Sequence, residues 1–170
     1  SMVENHVSKE EILKAIKKLS RYISSAFIID STHMMCHAGR ISKRIQILCD
    51  TLLLHPVIVL RKSKIVVGSM EMGDFPHVAK RYVRKLFMNA RNIDRRILFI
   101  TYAGIDKEKL QYLQDLVHQY CPFERVYLQK ASSAIASNCG PGSFGLLFMK
   151  KNDLEISFSE ASRDVIKNNL

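Results

Sequence analysis

Apolar residues at helical spacing begin near the N-terminus of the chain and predict its first helix. Ser8 and Glu11 have the spacing of a capping box, in which the serine side chain accepts from the Glu11 N–H and the glutamate returns a hydrogen bond. The helix should run to about residue 21, with lysines on one face and four apolar residues on the other: Ile12, Leu13, Ile16 and Leu19.

The same spacing predicts further helices along the chain. A brief helix at residues 34–36 should stop at Gly39, and longer ones are expected at residues 42–54, 75–89 and 106–120. Each longer helix should turn an apolar face inward. The expected inward residues are Ile45, Leu48, Cys49 and Leu52 in the first, Val78, Tyr82, Leu86 and Phe87 in the second, and Leu110, Leu113, Leu116 and Val117 in the third.

Short apolar runs between the helices predict strands. They lie at residues 26–29, 57–60, 65–67, 96–102, 126–128 and 144–149, with a weaker one at 154–158. His55 and Pro56 should end the helix before the second strand, and the polar residues 61–64 predict a hairpin turn after it. Residues 96–102 are apolar without alternation, which is typical of a central strand covered on both faces.

Strands alternate with helices, but the hairpin requires one antiparallel pair. The sequence therefore predicts an α/β fold in which a mixed β-sheet packs against helices as a two-layer sandwich. A chain of 170 residues fits one domain and can bury a hydrophobic core without disulfides or metal.

The formal charge of +10 raises the question of an anionic partner. Acidic residues are interleaved with the basic ones, and no stripe of basic and aromatic residues suggests single-stranded nucleic acid, so we predict no nucleic-acid binding. The densest basic cluster contains Lys80, Arg81, Arg84, Lys85, Arg91, Arg95 and Arg96. A solvated helix face is the favoured interpretation of this cluster, and a surface for an acidic partner is the alternative.

Candidate catalytic and metal-binding residues are few. His33, Cys36 and His37 share a predicted helix, but no second cluster completes a zinc site, so no metal and no cofactor are predicted. No phosphate-loop or serine-hydrolase motif and no clear carboxylate pair is present, which argues against an enzyme. The cysteines are scattered and form no C-x-x-C pair. The sequence also has no apolar run of membrane-spanning length and no signal-peptide pattern. These features predict a cytoplasmic protein.

Two loop motifs remain. Residues 131–151 place Gly140-Pro141-Gly142 before an apolar strand, and taken alone this is a tight turn into the strand. Arg40 follows Gly39 at the start of the next helix, where a guanidinium and helix N–H groups can hold an anion. Together, the two motifs favour an anion-binding site.

The sequences G-R-I-S at residues 39–42 and I-A-S-N-C-G-P-G-S-F-G-L-L-F at residues 135–148 resemble the DegV family of bacterial fatty-acid-binding proteins in letters, order and spacing. The resemblance covers residues 8–151 and corresponds to the C-terminal domain of a family member, with residues 152–170 as an extension. It implies that an N-terminal DegV domain is missing and would be a partner. The residues that it places near a ligand are Arg40, Ser137, Asn138, Cys139, Gly140 and Gly142.

The resemblance implies that the domain binds a long-chain fatty acid, with the carboxyl group at a domain junction and the tail in the apolar interior. It further implies an acyl-chain carrier that presents the carboxyl group to a separate fatty-acid kinase. The family usually has T-H-T before G-P-G, where this chain has Ser137-Asn138-Cys139. Because asparagine carries no positive charge and cysteine is a weaker donor than threonine, carboxylate binding should be altered or lost. The alternative is a regulatory or protein-interaction domain with the same fold.

Overall fold

The computed structural model describes residues 7–39, 41–61, 64–89 and 92–151. The helices of this part are α1 (Lys9–Leu19), α2 (His33–His37), α3 (Lys43–Thr51), α4 (Phe75–Asn89), α5 (Lys107–Tyr120) and α6 (Ser133–Cys139), and a short 3₁₀ turn covers Ser20–Tyr22. The strands are β1 (Ile23–Ile28), β2 (Leu54–Arg61), β3 (Lys64–Met72), β4 (Ile93–Tyr102), β5 (Arg125–Lys130) and β6 (Phe144–Lys150). The weak strand expected at residues 154–158 and the turn at residues 62 and 63 lie outside the described residues.

The six strands form one mixed sheet in the order β3-β2-β1-β6-β4-β5. Only β4 and β5 pair in parallel, and the other neighbours, including the predicted hairpin of β2 and β3, are antiparallel. The mixed sheet packed against helices confirms the predicted fold class. The last described strand, β6, inserts between β1 and β4, so the loop that precedes β6 lies beside the ends of these two strands.

The main core lies between one face of the sheet and the helices α4 and α5. Buried helix residues meet buried strand residues there: Val78, Tyr82, Val83, Leu113 and Val117 from the helices, and Ala26, Ile28, Leu98, Ile100 and Leu146 from the strands. The Tyr82 hydroxyl donates to the Ala26 carbonyl at 2.6 Å and accepts from the Leu146 N–H at 3.3 Å. Its complete burial raises the pKa of Tyr82.

Local signals correctly located several helix ends. The Ser8 and Glu11 capping box forms as predicted, with the Glu11 N–H donating to Ser8 Oγ at 3.3 Å and the Ser8 N–H donating to Glu11 Oε2 at 3.2 Å. Asp106 caps α5 by accepting from the Lys109 N–H at 2.8 Å. Helix α4 has the predicted bounds, and its expected inward residues Val78, Tyr82 and Phe87 are buried.

The inward face predicted for α3 is correct at Cys49, which is buried, and wrong at its other three residues. Ile45, Leu48 and Leu52 are about half exposed, whereas Gln46 is buried. The buried Gln46 is satisfied by hydrogen bonds, since its Oε1 accepts from Lys43 at 3.0 Å and its Nε2 donates to Asp50 at 3.1 Å. A polar side chain with both groups paired can therefore take the inner position that apolar spacing assigned to isoleucine and leucine.

Two strand predictions also need correction. Strand β4 is an interior strand, as predicted, since it pairs with both β6 and β5, but its two faces are not equally buried, because Leu98 and Ile100 are buried while Phe99 is 40% exposed. His55 and Pro56 do not end a helix, because α3 stops at Thr51 and both residues lie inside β2. The chain turns at Leu53, which has a φ of +49°.

Four residues of the basic cluster form a partly neutralised face of α4, whereas Arg95 and Arg96 lie in β4. Lys80 and Arg84 are exposed, but Lys85 contacts Glu71 at 2.7 Å and Arg81 contacts the same carboxylate at 3.3 Å. The Glu71 side chain is only 2% exposed, so these two cations compensate a buried charge and fasten β3 to α4. Arg91 lies outside the described residues.

Candidate functional site

A pocket of about 640 Å³ lies on the second face of the sheet, opposite α4 and α5. Successive residues of a strand point to opposite faces, so Phe27, Thr101 and Leu147 face away from the core that their neighbours Ala26, Ile100 and Leu146 enter. Helices α2 and α6 form the roof of this cavity through Met35, Ala134, Ile135, Asn138 and Cys139. We call this cavity the sheet pocket.

All six strands contribute to the floor of the sheet pocket. Strand register puts Ile58, Phe27, Gly145, Thr101 and Gln129 in one row across β2, β1, β6, β4 and β5. The next row contributes Ile65 of β3, Ser25 of β1 and Leu147 of β6. The floor therefore runs across the strands from one sheet edge to the other.

Gly145 allows β1 and β6 to approach each other closely in the middle of this floor. A Cβ built on Gly145 would lie 2.7 Å from Phe27 Cβ and 2.9 Å from the Ala26 carbonyl oxygen. Any larger residue would therefore push Phe27 away from its position against β6. Glycine within an apolar strand is the local signal of such a close approach.

The loop before β6 is anchored to the end of β4. The Gly142 N–H donates to the Ala103 carbonyl at 2.8 Å, and the Ala103 N–H donates to the Ser143 carbonyl at 2.9 Å. Gly140 and Gly142 have φ values of +76° and +81°, which L-residues with side chains rarely adopt. Both glycines thus have a structural reason, which is the turn that brings α6 into β6.

Asp30, at the end of β1, packs directly against this loop. A Cβ on Gly142 would lie 2.7 Å from Asp30 Cβ. The Asp30 N–H donates to Ser143 Oγ at 3.4 Å, and the Ser143 hydroxyl donates to the Cys139 carbonyl at 2.7 Å. These contacts fix the end of α6 relative to β1.

His55 supports Asp30 from the neighbouring strand. Its Nε2 lies 2.9 Å from the Gly73 carbonyl oxygen, and its buried Nδ1 lies 3.4 Å from Asp30 Oδ1 in an alignment too poor for a hydrogen bond. The histidine therefore links the turn before α4 with the end of β1 that borders the loop.

The predicted ligand-binding residues fall into three groups in the structure. Asn138 and Cys139 line the sheet pocket. Ser137 is exposed on α6 and donates to the Ala134 carbonyl at 3.2 Å, while Gly140 and Gly142 shape the adjacent loop. Arg40 lies outside the described residues, so its position relative to the pocket stays a prediction.

The two polar roof residues have restricted chemistry. Asn138 donates from Nδ2 to the Ala134 carbonyl at 2.8 Å, so part of its amide is engaged within α6. Burial raises the pKa of the Cys139 thiol, which keeps the sulfur protonated and makes it a poor nucleophile.

His33 lies 3.3 Å from Asp50, and nowhere in the described ranges do three or more His, Cys, Asp or Glu residues come together as a metal site. Across those same ranges, no helix has the length and apolar character required to cross a membrane.

Sequence reasoning missed the residues of the pocket floor. It identified loop residues, whereas Ser25, Phe27, Thr101 and Leu147 come from strands and converge only through sheet register. Two signals were available: Gly145 within an apolar run, and the hydroxyl residues Ser25 and Thr101 within otherwise apolar strands.

Comparison with known proteins identifies related sequences and folds. The model of the DegV family, whose description calls its members uncharacterised proteins, matches residues 1–151. No curated protein matches the chain.

Several solved structures are similar in fold. A DegV family protein from Eubacterium eligens loaded with heptadecanoic acid is 18% identical, with a TM-score of 0.73 over 88% of this chain and 53% of that one. A fatty-acid-binding DegV family protein from Thermus thermophilus is 23% identical, with a TM-score of 0.69 over 88% and 53% of the two chains. The Streptococcus pneumoniae fatty acid kinase (Fak) B3 protein loaded with linoleic acid is 13% identical, with a TM-score of 0.73 over 88% and 52%. The chain thus spans about half the length of these structures.

Proposed function

Because the chain belongs to the DegV family, we propose that it is a non-catalytic lipid-binding protein that holds one long-chain fatty acid in the sheet pocket. The observation that carries this proposal is the pocket itself, whose floor is built from six strands and whose volume is about 640 Å³. That volume falls within the roughly 300–1,000 Å³ of small-molecule sites. The similar proteins from E. eligens and S. pneumoniae were loaded with heptadecanoic and linoleic acid, which are ligands of this kind.

Burial of the acyl chain supplies a favourable free energy of the same order as the cost of association. At about 0.8 kcal/mol per methylene, fourteen buried methylenes contribute roughly 11 kcal/mol. Association and the immobilised chain oppose this with a cost of about 4–15 kcal/mol. Affinity would therefore depend on how much of the acyl chain the sheet pocket encloses and on the contacts of the carboxyl group.

The proposed contacts of the carboxyl group come from both loop motifs. The residues are Arg40, Ser137, Asn138, Cys139, Gly140 and Gly142. Arg40 would supply the positive charge, and Asn138 would supply a neutral hydrogen bond where the family usually has a histidine. The carboxylate would then depend more strongly on Arg40 than in relatives with histidine at this position.

A carrier role would connect the protein to a kinase. The similar Streptococcus pneumoniae structure is named a fatty acid kinase (Fak) B3 protein, and this name motivates our proposal that the chain presents its acyl chain to a fatty acid kinase. Since the chain spans about half the length of such structures, an N-terminal DegV-type domain would complete the other side of the carboxyl site. The unpaired cysteines support a reducing bacterial cytoplasm as the setting.

The alternative is a regulatory or protein-interaction domain that uses the basic face of α4. This alternative has weaker support, because Arg81 and Lys85 are already paired with Glu71 and only part of the face remains for an acidic partner.

Binding can be tested with two matched substitutions on β6. Leu147 and Met149 are partly buried on the same sheet face, but only Leu147 lines the sheet pocket. Leu147→Trp should abolish the one-to-one complex with hexadecanoic acid in native mass spectrometry, whereas Met149→Trp should preserve it. Absence of the complex with the unmodified protein, or equal binding by the two variants, would contradict the proposal.

The carrier role needs a separate experiment. A bacterial fatty acid kinase with ATP should form acyl phosphate from hexadecanoic acid in the presence of the protein, and Leu147→Trp should remove that stimulation. Kinase activity that is the same with and without the protein would leave lipid binding intact and refute the carrier role.

A further inference from the structure

The two ends of the sheet pocket differ in chemistry. Most polar lining residues lie on β4, β5 and α6 and on the segment between β5 and α6, namely Thr101, Gln129, Ser132 and Asn138, while Ser25 of β1 and Ser143 before β6 are the other hydroxyl residues of the lining. Large apolar side chains form the other end, on and beside β1, α2, β2 and β3: Ile29, Met35, Ile58 and Ile65. An amphipathic ligand would therefore lie across the strands, with its carboxyl group beside Asn138 of α6, one of the proposed carboxyl contacts, and its tail directed toward β3.

The sheet itself sets the length available to that tail. From β4 to β3 there are four strand spacings of about 4.8 Å, or roughly 19 Å. A hydrocarbon chain with ~1.5 Å bonds at angles near 111° advances about 1.25 Å per bond, so roughly 15 bonds cover this distance. An extended chain of about 16 carbons would reach the β3 edge.

Two isoleucines mark the end of this path. Ile58 on β2 is 2% exposed and lines the sheet pocket, while Ile65 on the edge strand β3 lines it but is 66% exposed. The floor of the sheet pocket is therefore closed to solvent at Ile58 and open to solvent at Ile65. Methylenes that reach beyond Ile65 would enter water and add little to the affinity.

We infer that Ile58 and Ile65 determine the acyl-chain length that the protein prefers, with the gain in affinity ending near 16 carbons at the β3 edge. This inference rests on the proposed function and adds the orientation of the chain and the residues that limit its length. The chemical class that it selects is a straight, largely extended acyl chain, because the path crosses the strands in one direction.

A chain-length series tests the inference. For saturated acids from decanoic to icosanoic acid, measured by displacement of a fluorescent fatty acid, affinity should rise about fourfold per methylene and level off near hexadecanoic acid. Ile65→Asp places a charge at the solvent-exposed end of the floor. It should weaken hexadecanoic and octadecanoic acid about fifteenfold, equivalent to two lost methylenes, and leave dodecanoic acid unchanged.

Val67→Asp is the matched control, because Val67 lies on the same strand and face and is 57% exposed, but does not line the sheet pocket. It should leave the whole series unchanged. Ile58→Trp provides a second variant, and should move the levelling-off point about four carbons shorter, one strand spacing.

The outcomes separate the inference from the function on which it depends. A rise that continues to icosanoic acid would refute the length limit. An equal effect of Ile65→Asp on all chain lengths, or an unchanged levelling-off point in Ile58→Trp, would refute the residue assignment. If the unmodified protein binds no acid of any length, the proposed function is refuted and the inference falls with it.

Discussion

Replacement of Gly142 by alanine should destabilise the fold by about 3 kcal/mol. The first contribution is the backbone: an L-residue in the left-handed region costs roughly 1–2 kcal/mol, and Gly142 has a φ of +81°. The lower entropy of alanine in the unfolded chain offsets about 0.4–1 kcal/mol of this. The second contribution is steric, since the new Cβ would lie 2.7 Å from Asp30 Cβ. Crowding of this kind costs about 1–3 kcal/mol, and Asp30 would have to leave its place beside His55.

Gly39→Ala is the control that isolates the steric contribution. Gly39 has a φ of +66°, but no atom lies within 4 Å of a Cβ built there. Urea denaturation should therefore show a loss in the free energy of unfolding of about 1 kcal/mol for Gly39→Ala, and about 2 kcal/mol more for Gly142→Ala. Adding Asp30→Gly to Gly142→Ala should recover part of the difference, because the two changes share one contact. Equal losses in the two single variants would refute the contact between Asp30 and the loop.

Two further predictions concern buried polar groups. Tyr82→Phe removes the hydroxyl that bridges Ala26 and Leu146 and should lower the free energy of unfolding in urea by about 1–3 kcal/mol; no loss would contradict the bridge. The hydrogen bond from the Arg96 side chain lowers the pKa of Asp94 below its ordinary value of 3.8. The Asp94 carboxylate therefore stabilises the fold at pH values above 3.8. This stabilisation is lost as the pH falls through the pKa of Asp94 in the folded protein. Asp94→Asn should be less stable than the unmodified protein near neutral pH, and the difference should vanish in acid; a difference that is constant with pH would contradict the assignment.

Sequence patterns predicted the helices where the local signal and the packing agree. The capping box at Ser8 and the apolar stripe of α4 each place an element correctly, because hydrogen bonds and burial within a few residues decide them. For α3, the spacing of Ile45, Leu48 and Leu52 predicted that these residues are buried, but Gln46 is buried instead. Paired contacts to Lys43 and Asp50 made that possible, and they depend on the helix being folded.

The candidate site could be predicted only at its loop. The glycines before β6 could be singled out in the sequence because the turn requires positive φ values. Asn138 and Cys139 could be singled out because they stand directly before these glycines. The floor depends on which strands are adjacent, and the insertion of β6 between β1 and β4 brings Phe27, Gly145 and Thr101 together. No local pattern encodes that adjacency, so the sheet pocket became visible only in the folded chain.

The most direct test of the central claim is the position of a bound acyl chain. With uniformly ¹³C-labelled hexadecanoic acid and methyl-labelled protein, NMR should show nuclear Overhauser effects from the acyl methylenes to Leu147 and Ile58, which line the sheet pocket. The methyl groups of Leu113 and Val83 lie in the core on the opposite face and should show none. Contacts to Leu113 or Val83, or none to Leu147 and Ile58 in a saturated complex, would contradict the account.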